Sequence, residues 1–178
     1  MNIVELKNGS KAVIREAIPD DALQLLDIQF SIAGENRYMV TQSNEFNLTT
    51  TEEKQRIQED LNRPGNMLLV AEINDEIIGF VSIRNESKKR KAHVGALGIF
   101  IQKEWRETSV GSTLMDVILK WAKNNPLIEK VGLAVFSNNE RAIHLYKKLG
   151  FVEEGRRIKE LKFNKEEYID EILMYKFV

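Results

Sequence analysis

The chain has 178 residues, 43% of them hydrophobic and 30% charged, with a formal net charge of −1; this suffices for one domain with a sizeable core and gives no global attraction for nucleic acid. Cysteine is absent and the two histidines, His93 and His144, lie far apart, which excludes disulfides, cysteine-rich zinc sites and a cysteine acyl-enzyme and leaves little to build a metal site with. No apolar run approaches the roughly 18 residues of a membrane span and the N-terminus has no secretory h-region, so a single cytoplasmic domain over residues 1–178 with no membrane partner is expected.

Lys11 to Glu16 reads as a strand, and Pro19 occupies the first position of a helix that continues through Asp20 to Ile28. Residues 31–49 read as a loop-rich segment, and Thr50-Thr51-Glu52-Glu53 opens a second helix that closes near Asn62, before Pro64-Gly65. The period then changes from helical to alternating. Residues 67–73 and 77–83 flank Asn74-Asp75 as a hairpin, and the basic run Lys88 to Lys91 leads into a third strand over 92–101. That run reads as a solvated hairpin tip rather than a docking patch.

After a polar loop, apolar residues at 110, 114, 117, 118 and 121 predict a helix ending near Asn125-Pro126. Residues 130–136 read as a buried strand, and Ala142, Leu145, Tyr146 and Leu149 share one face of a short helix. Its start is overdetermined: Ser137 and Glu140 have capping-box spacing, and Asn138 or Asn139 is a competing N-cap. Its stop is Gly150-Phe151, with the glycine suited to a left-handed conformation. Two closing strands, 151–161 and 168–177, complete a mixed α+β fold: a mostly antiparallel sheet of about seven strands with about four helices on its two faces.

The loop before residue 110 feeds a helix N-terminus, whose unpaired N–H groups and dipole favour an anion such as pyrophosphate. Neither a GxxxxGK[ST] nor a GxGxxG phosphate loop is present. Capping alone does not call for two adjacent asparagines or for a tyrosine where leucine would pack as well.

These two segments together resemble the GNAT family of N-acetyltransferases. The family's acetyl-CoA loop, Arg/Gln-x-x-Gly-x-Gly/Ala, is matched at Arg106 and Gly111, with Ser109 in place of the first glycine. Its later motif, Asn-x-x-Ala-x-x-Leu-Tyr-x-x-x-Gly-Phe, is matched by Asn139, Ala142, Leu145, Tyr146, Gly150 and Phe151. The C-terminal half is similar to small bacterial amine or protein N-acetyltransferases.

The resemblance implies acetyl-CoA as co-substrate and no metal. It implies the backbone of Ile99, Phe100 and Ile101 along the pantetheine, in a gap where the sheet splays. Arg106, Glu107, Thr108, Ser109, Val110, Gly111 and Ser112 are implied to surround the pyrophosphate, with Glu107 turned to solvent. Asn138 and Asn139 are implied to reach the CoA arm, and Tyr146 Oη to protonate the leaving sulfur. Glu35, Glu45 and Tyr38 belong to the segment that walls the acceptor site in the family, with either carboxylate a candidate proton relay. The partner that the resemblance implies is an amine-bearing small molecule or a protein amine; no nucleic acid is expected, and a homodimer is left open. The competing reading is a CoA-binding regulatory module without turnover, which the serine at 109 favours and the tyrosine at 146 opposes. A nucleic-acid binder using the Lys88 to Lys91 tip is the third.

Overall fold

The computed structural model describes residues 2–178. Eight strands form one sheet: β1 (Asn2–Glu5), β2 (Lys11–Glu16), β3 (Met67–Ile73), β4 (Glu76–Asn85), β5 (Val94–Ile101), β6 (Lys130–Phe136), β7 (Val152–Lys162) and β8 (Tyr168–Phe177). Their spatial order is β1-β2-β3-β4-β5-β6-β8-β7, and every neighbouring pair is antiparallel except β5 with β6. The helices are α1 (Ala22–Gly34), α2 (Thr50–Leu61), α3 (Val110–Asn124) and α4 (Glu140–Lys148). This is the mixed, mostly antiparallel sheet flanked by four helices that the sequence predicts, with one strand more. The extra strand, β1, is a short edge strand with mostly exposed side chains, so it carries no buried alternation by which to recognise it.

Two cores sandwich the sheet. Val110, Leu114, Met115 and Ile118 of α3 and Tyr146 of α4 pack with Val131, Leu133, Val135, Ile172 and Met174 on one face. Leu25, Ile28 and Ile32 of α1 and Ile57 of α2 pack with Leu68, Val70, Ile77 and Phe80 on the other. A register shift between Ala71 and Glu72 places one extra residue in β4, so the adjacent Ile77 and Ile78 serve opposite cores. Helix α1 runs through residues 31–34, expected as loop, because Ile32 and Ala33 continue its buried stripe.

Local signals explain most element ends. Asn74 and Asp75 take positive φ of 49° and 66°, which suits the right-handed twist of the β3–β4 hairpin. Thr49 caps α2 reciprocally with Glu52: Glu52 N–H donates to Thr49 Oγ1 (3.2 Å) and Thr49 N–H to Glu52 Oε2 (2.8 Å). Arg15 fastens the start of α1, donating to both oxygens of buried Asp21 at 2.7 and 2.8 Å and to Glu72. Among the described residues, no helix is long and apolar enough to cross a membrane.

Candidate active site

The site originates in the parallel pair. Strands β5 and β6 are paired only at Val94, Gly95 and Ala96, opposite Lys130, Val131 and Gly132. Beyond that point β5 stays paired with β4 through Ile101, while β6 stays paired with β8 through Phe136. The sheet therefore splays, leaving one edge of Leu97–Ile101 without a strand neighbour. A cleft of about 750 Å³ opens there, lined by Leu97 to Ile101 on one side and Ala134 to Phe136 on the other. An exposed strand edge offers backbone donors and acceptors to an extended ligand.

One end of the cleft is closed by the α3 N-terminus. The first intrahelical bond runs from Thr113 N–H to Ser109 C=O (3.0 Å), so the N–H groups of Val110, Gly111 and Ser112 precede it and have no helical acceptor. Arg106, Glu107, Ser109, Gly111 and Ser112 line the cleft, with Glu107 on its exposed rim. Thr108 and Val110 do not line it. Thr108 Oγ1 donates to Trp105 C=O at 2.7 Å, and the Val110 side chain is buried in the core, so both serve the loop's shape.

Ser109 holds a left-handed backbone, φ 77°, as the residue capping α3. This is the conformation for which glycine is suited, and for serine it is strained. A long-range contact supports it: Lys7 N–H, between β1 and β2, donates to Thr108 C=O (3.0 Å) and to Ser109 Oγ (3.2 Å). Ser109→Gly is therefore expected to change stability by less than about 1 kcal/mol, because relief of strain opposes the lost acceptor and the added chain freedom. Ser109→Val puts a β-branched residue into the same φ and should lower the melting temperature clearly. Thermal denaturation of both checks this, and equal melting points would contradict a strained cap.

Arg106, expected at the pyrophosphate, and Glu35, expected in the acceptor wall, are joined. Arg106 Nη1 donates to Glu35 Oε2 at 2.7 Å, Nη2 donates to Oε1, and Nε donates to Ile101 C=O at 3.2 Å. The hydrogen bonds from Arg106, with charge from Arg106, Lys103 and Arg141, hold the Glu35 carboxyl below its ordinary value of 4.5. A carboxylate so engaged is a poor proton acceptor, and Glu35 does not line the cleft. Its position instead ties the C-terminal end of α1 to the loop before α3. Because the folded value is depressed, the pair's stabilisation is complete above the unfolded value and is lost as pH falls through the folded one. Glu35→Gln should accordingly melt below the wild type at pH 7, with the gap narrowing below about pH 4. A gap independent of pH in thermal melts would reject the ion pair as its cause.

Helix α4 forms the remaining wall. Asn139 is its N-cap, its Oδ1 accepting from Ala142 N–H at 3.3 Å, and it also lines the cleft. Asn138 does not line it. The helix stops as the sequence predicts: Gly150 has φ 86°, Gly150 N–H donates to Lys147 C=O (3.0 Å) and Phe151 N–H to Tyr146 C=O (3.0 Å). This stop places Tyr146 against Phe151, ring centroids 5.9 Å apart. Tyr146 is only 7% exposed yet lines the cleft. Burial pushes its phenol up to about 12, so it is a protonated donor throughout the neutral range.

Tyr38 lines the cleft beside Met39 and Val40. Glu45 does not; its carboxylate accepts from Gln42 N–H at 3.0 Å in a local turn. His93 also lies away from the cleft, its C=O accepting from Glu129 and Lys130 N–H. The Lys88 to Lys91 run is exposed, with Lys91 Nζ 2.9 Å from Glu86. The sequence reading gave no role to Lys7, Arg141, His144, Lys148 and Glu171, which all line the cleft. Arg141, His144 and Lys148 follow i, i+3, i+7 spacing, a legible stripe, whereas Lys7 and Glu171 carry no local signal.

Comparison with known proteins agrees with this geometry. Residues 34–151 match the acetyltransferase (GNAT) family model. The L-amino acid N-acetyltransferase AaaT of Escherichia coli is 34% identical over 112 residues, 63% of this chain and 68% of that protein. A GNAT-family acetyltransferase from Streptococcus pneumoniae superposes with a TM-score of 0.89 at 30% identity, covering 94% of this chain and 99% of that one. The fold also matches YncA of Salmonella typhimurium, solved with its cofactor acetyl-CoA, at TM-score 0.83 and 18% identity, covering 94% of each chain.

Proposed function

Since the chain belongs to the GNAT family and is an acetyl-CoA-dependent N-acetyltransferase, we propose that it moves the acetyl group directly to a primary amine in a ternary complex. Residues 1–178 act as one catalytic unit, in the cytoplasm where acetyl-CoA is available, on a small-molecule or protein amine. One observation carries this reading. The β5 edge left open after three residue pairs lines the same cleft as the α3 N-terminus and Tyr146.

The residues present suit the ligand. The free edge of Leu97–Ile101 can take the amides of the pantetheine arm as a further strand would. The N–H groups of Val110 to Ser112 and the α3 dipole suit the pyrophosphate. Lys7 and the Arg141, His144 and Lys148 stripe supply a basic rim for the remaining phosphate charge. Bound acetyl-CoA supplies an activated acyl group: the amine nitrogen bonds to the carbonyl carbon, the C–S bond breaks and sulfur keeps the electron pair.

Tyr146 then acts as general acid, giving its phenolic proton to the sulfur. The proton shed by the acylated nitrogen leaves through solvent and restores the phenol, so the products are an amide and a free thiol. With no cysteine in the chain, direct attack needs no acyl-enzyme. Packing against Phe151 fixes the ring, so the donor is oriented before the reaction starts. Incubation with acetyl-CoA and polyamines, amino acids, aminoglycosides and peptide N-termini, with mass detection of products, tests the activity. Acetylation of at least one class is the expected result, and none across the panel would refute transfer to a primary amine.

A further inference from the structure

We infer that Glu171 is the residue that receives the positive charge of the acceptor amine, selecting substrates that arrive as ammonium ions and give one proton to solvent before the freed lone pair attacks; this rests on the acetyl transfer proposed above. Strand alternation fixes where Glu171 points. Val131, Leu133 and Val135 of β6, and Ile172 and Met174 of β8, face the core beneath α3 and α4. The intervening Ala134, Phe136 and Glu171 therefore face the other side of the sheet, that of α1. Phe136 and Glu171 are cross-strand partners at the end of the β6–β8 pairing, beyond the point where β5 and β6 separate. Both line the cleft together with Ile32, Tyr38, Met39 and Val40 from α1 and its following segment.

The cleft is thus divided by the sheet. Tyr146 and the phosphate-binding elements approach from the α3 and α4 side, and an amine reaches the open gap from the α1 side. On that second side the lining is largely apolar apart from Tyr38, Thr41 and Glu171. The other carboxylate in the lining, Glu107, sits in the loop before α3. Glu171 is 12% exposed at its side chain and is held by Arg157, whose Nη1 donates to Oε2 at 2.6 Å. Arg157 itself is half exposed and is also 3.7 Å from Glu160. One carboxylate oxygen is engaged by Arg157, and the other has no hydrogen bond from a described residue. A carboxylate held in a mainly apolar wall attracts an ammonium group more strongly than one in open water.

The test separates this role from a structural one by using two acceptors: an aliphatic amine that is cationic at pH 7 and an O-alkyl hydroxylamine that is neutral there. Glu171→Gln should raise KM for the cationic amine about tenfold, leave KM for the neutral one unchanged, and leave acetyl-CoA affinity by calorimetry unchanged. Glu171→Asp should recover part of the loss. Arg157→Gln, which frees the carboxylate from its partner, should lower KM for the cationic amine, and it reads the same claim should Glu171→Gln not fold. Equal KM changes for both acceptors, no change for the cationic one, or weakened acetyl-CoA binding would overturn the assignment. Wild-type protein that acetylates no amine of the panel above would instead defeat the proposed transfer on which it rests.

Discussion

Tyr146→Phe is expected to lower kcat by about 10² to 10⁴, the usual range for general acid–base help, while leaving the fold and most acetyl-CoA affinity intact. Phenylalanine keeps the ring that packs against Phe151 in the core and loses only the donor. The buried phenol titrates near 12, so it does not release its proton to water at neutral pH. Tyr146 should therefore contribute no ionisation to the pH–rate profile below about pH 10. Since the phenol's folded value is raised, stability is lost only as pH climbs from the ordinary value of 10.0 towards 12. Single-turnover acetylation by the mutant measures the chemical step; an unchanged rate would refute the acid role.

Gly111→Leu should impair function by a different route, weakening acetyl-CoA binding about tenfold to a hundredfold while the protein stays folded. A Cβ at Gly111 would meet Leu145 Cδ2 at 3.8 Å and Ile101 Cγ1 at 4.0 Å, which are ordinary contacts. Replacing glycine in the first turn of a helix raises helix propensity by up to about 1 kcal/mol. The larger side chain must then project towards the cleft that Gly111 lines, keeping phosphate away from the N–H groups of Val110 to Ser112. Hydrogen bonds to a charged group contribute about 1.5–3 kcal/mol each, and about 1.4 kcal/mol is a factor of ten in affinity. Calorimetry with a parallel thermal melt checks both halves. Wild-type affinity in a stable variant would exclude the α3 N-terminus as the phosphate site.

The sequence by itself determined the features that depend on a few neighbouring residues. The start and stop of α4, the Asn74-Asp75 turn and the beginning of α3 near residue 110 follow from capping groups, backbone freedom and 3.6-residue spacing. These interactions span no more than about six residues along the chain, so one stretch of sequence contains all their parts. The same locality makes the motif from Asn139 to Phe151 legible: its cap, tyrosine and terminating glycine are parts of one helix. Ser109 was visible as a departure from glycine at a motif position, but its φ of 77° and its support by Lys7, 102 residues away, were not.

What only the tertiary structure decided is the site as a three-dimensional object. The splay of β5 from β6 depends on where pairing ends after Ala96. Each strand reads locally like one paired along its whole length, because a strand's own sequence sets its face alternation and not the length of its partnership. The Arg106 link to Glu35 joins residues 71 apart, turning an expected acceptor-wall carboxylate into a brace for the loop before α3. Glu171 looks like one more charged residue in a half-exposed strand; it becomes a cleft group only because β8 inserts between β6 and β7 and aligns it with Phe136. Long-range pairing, governed by the burial of two cores on opposite faces of one twisted sheet, brings these residues to the same opening.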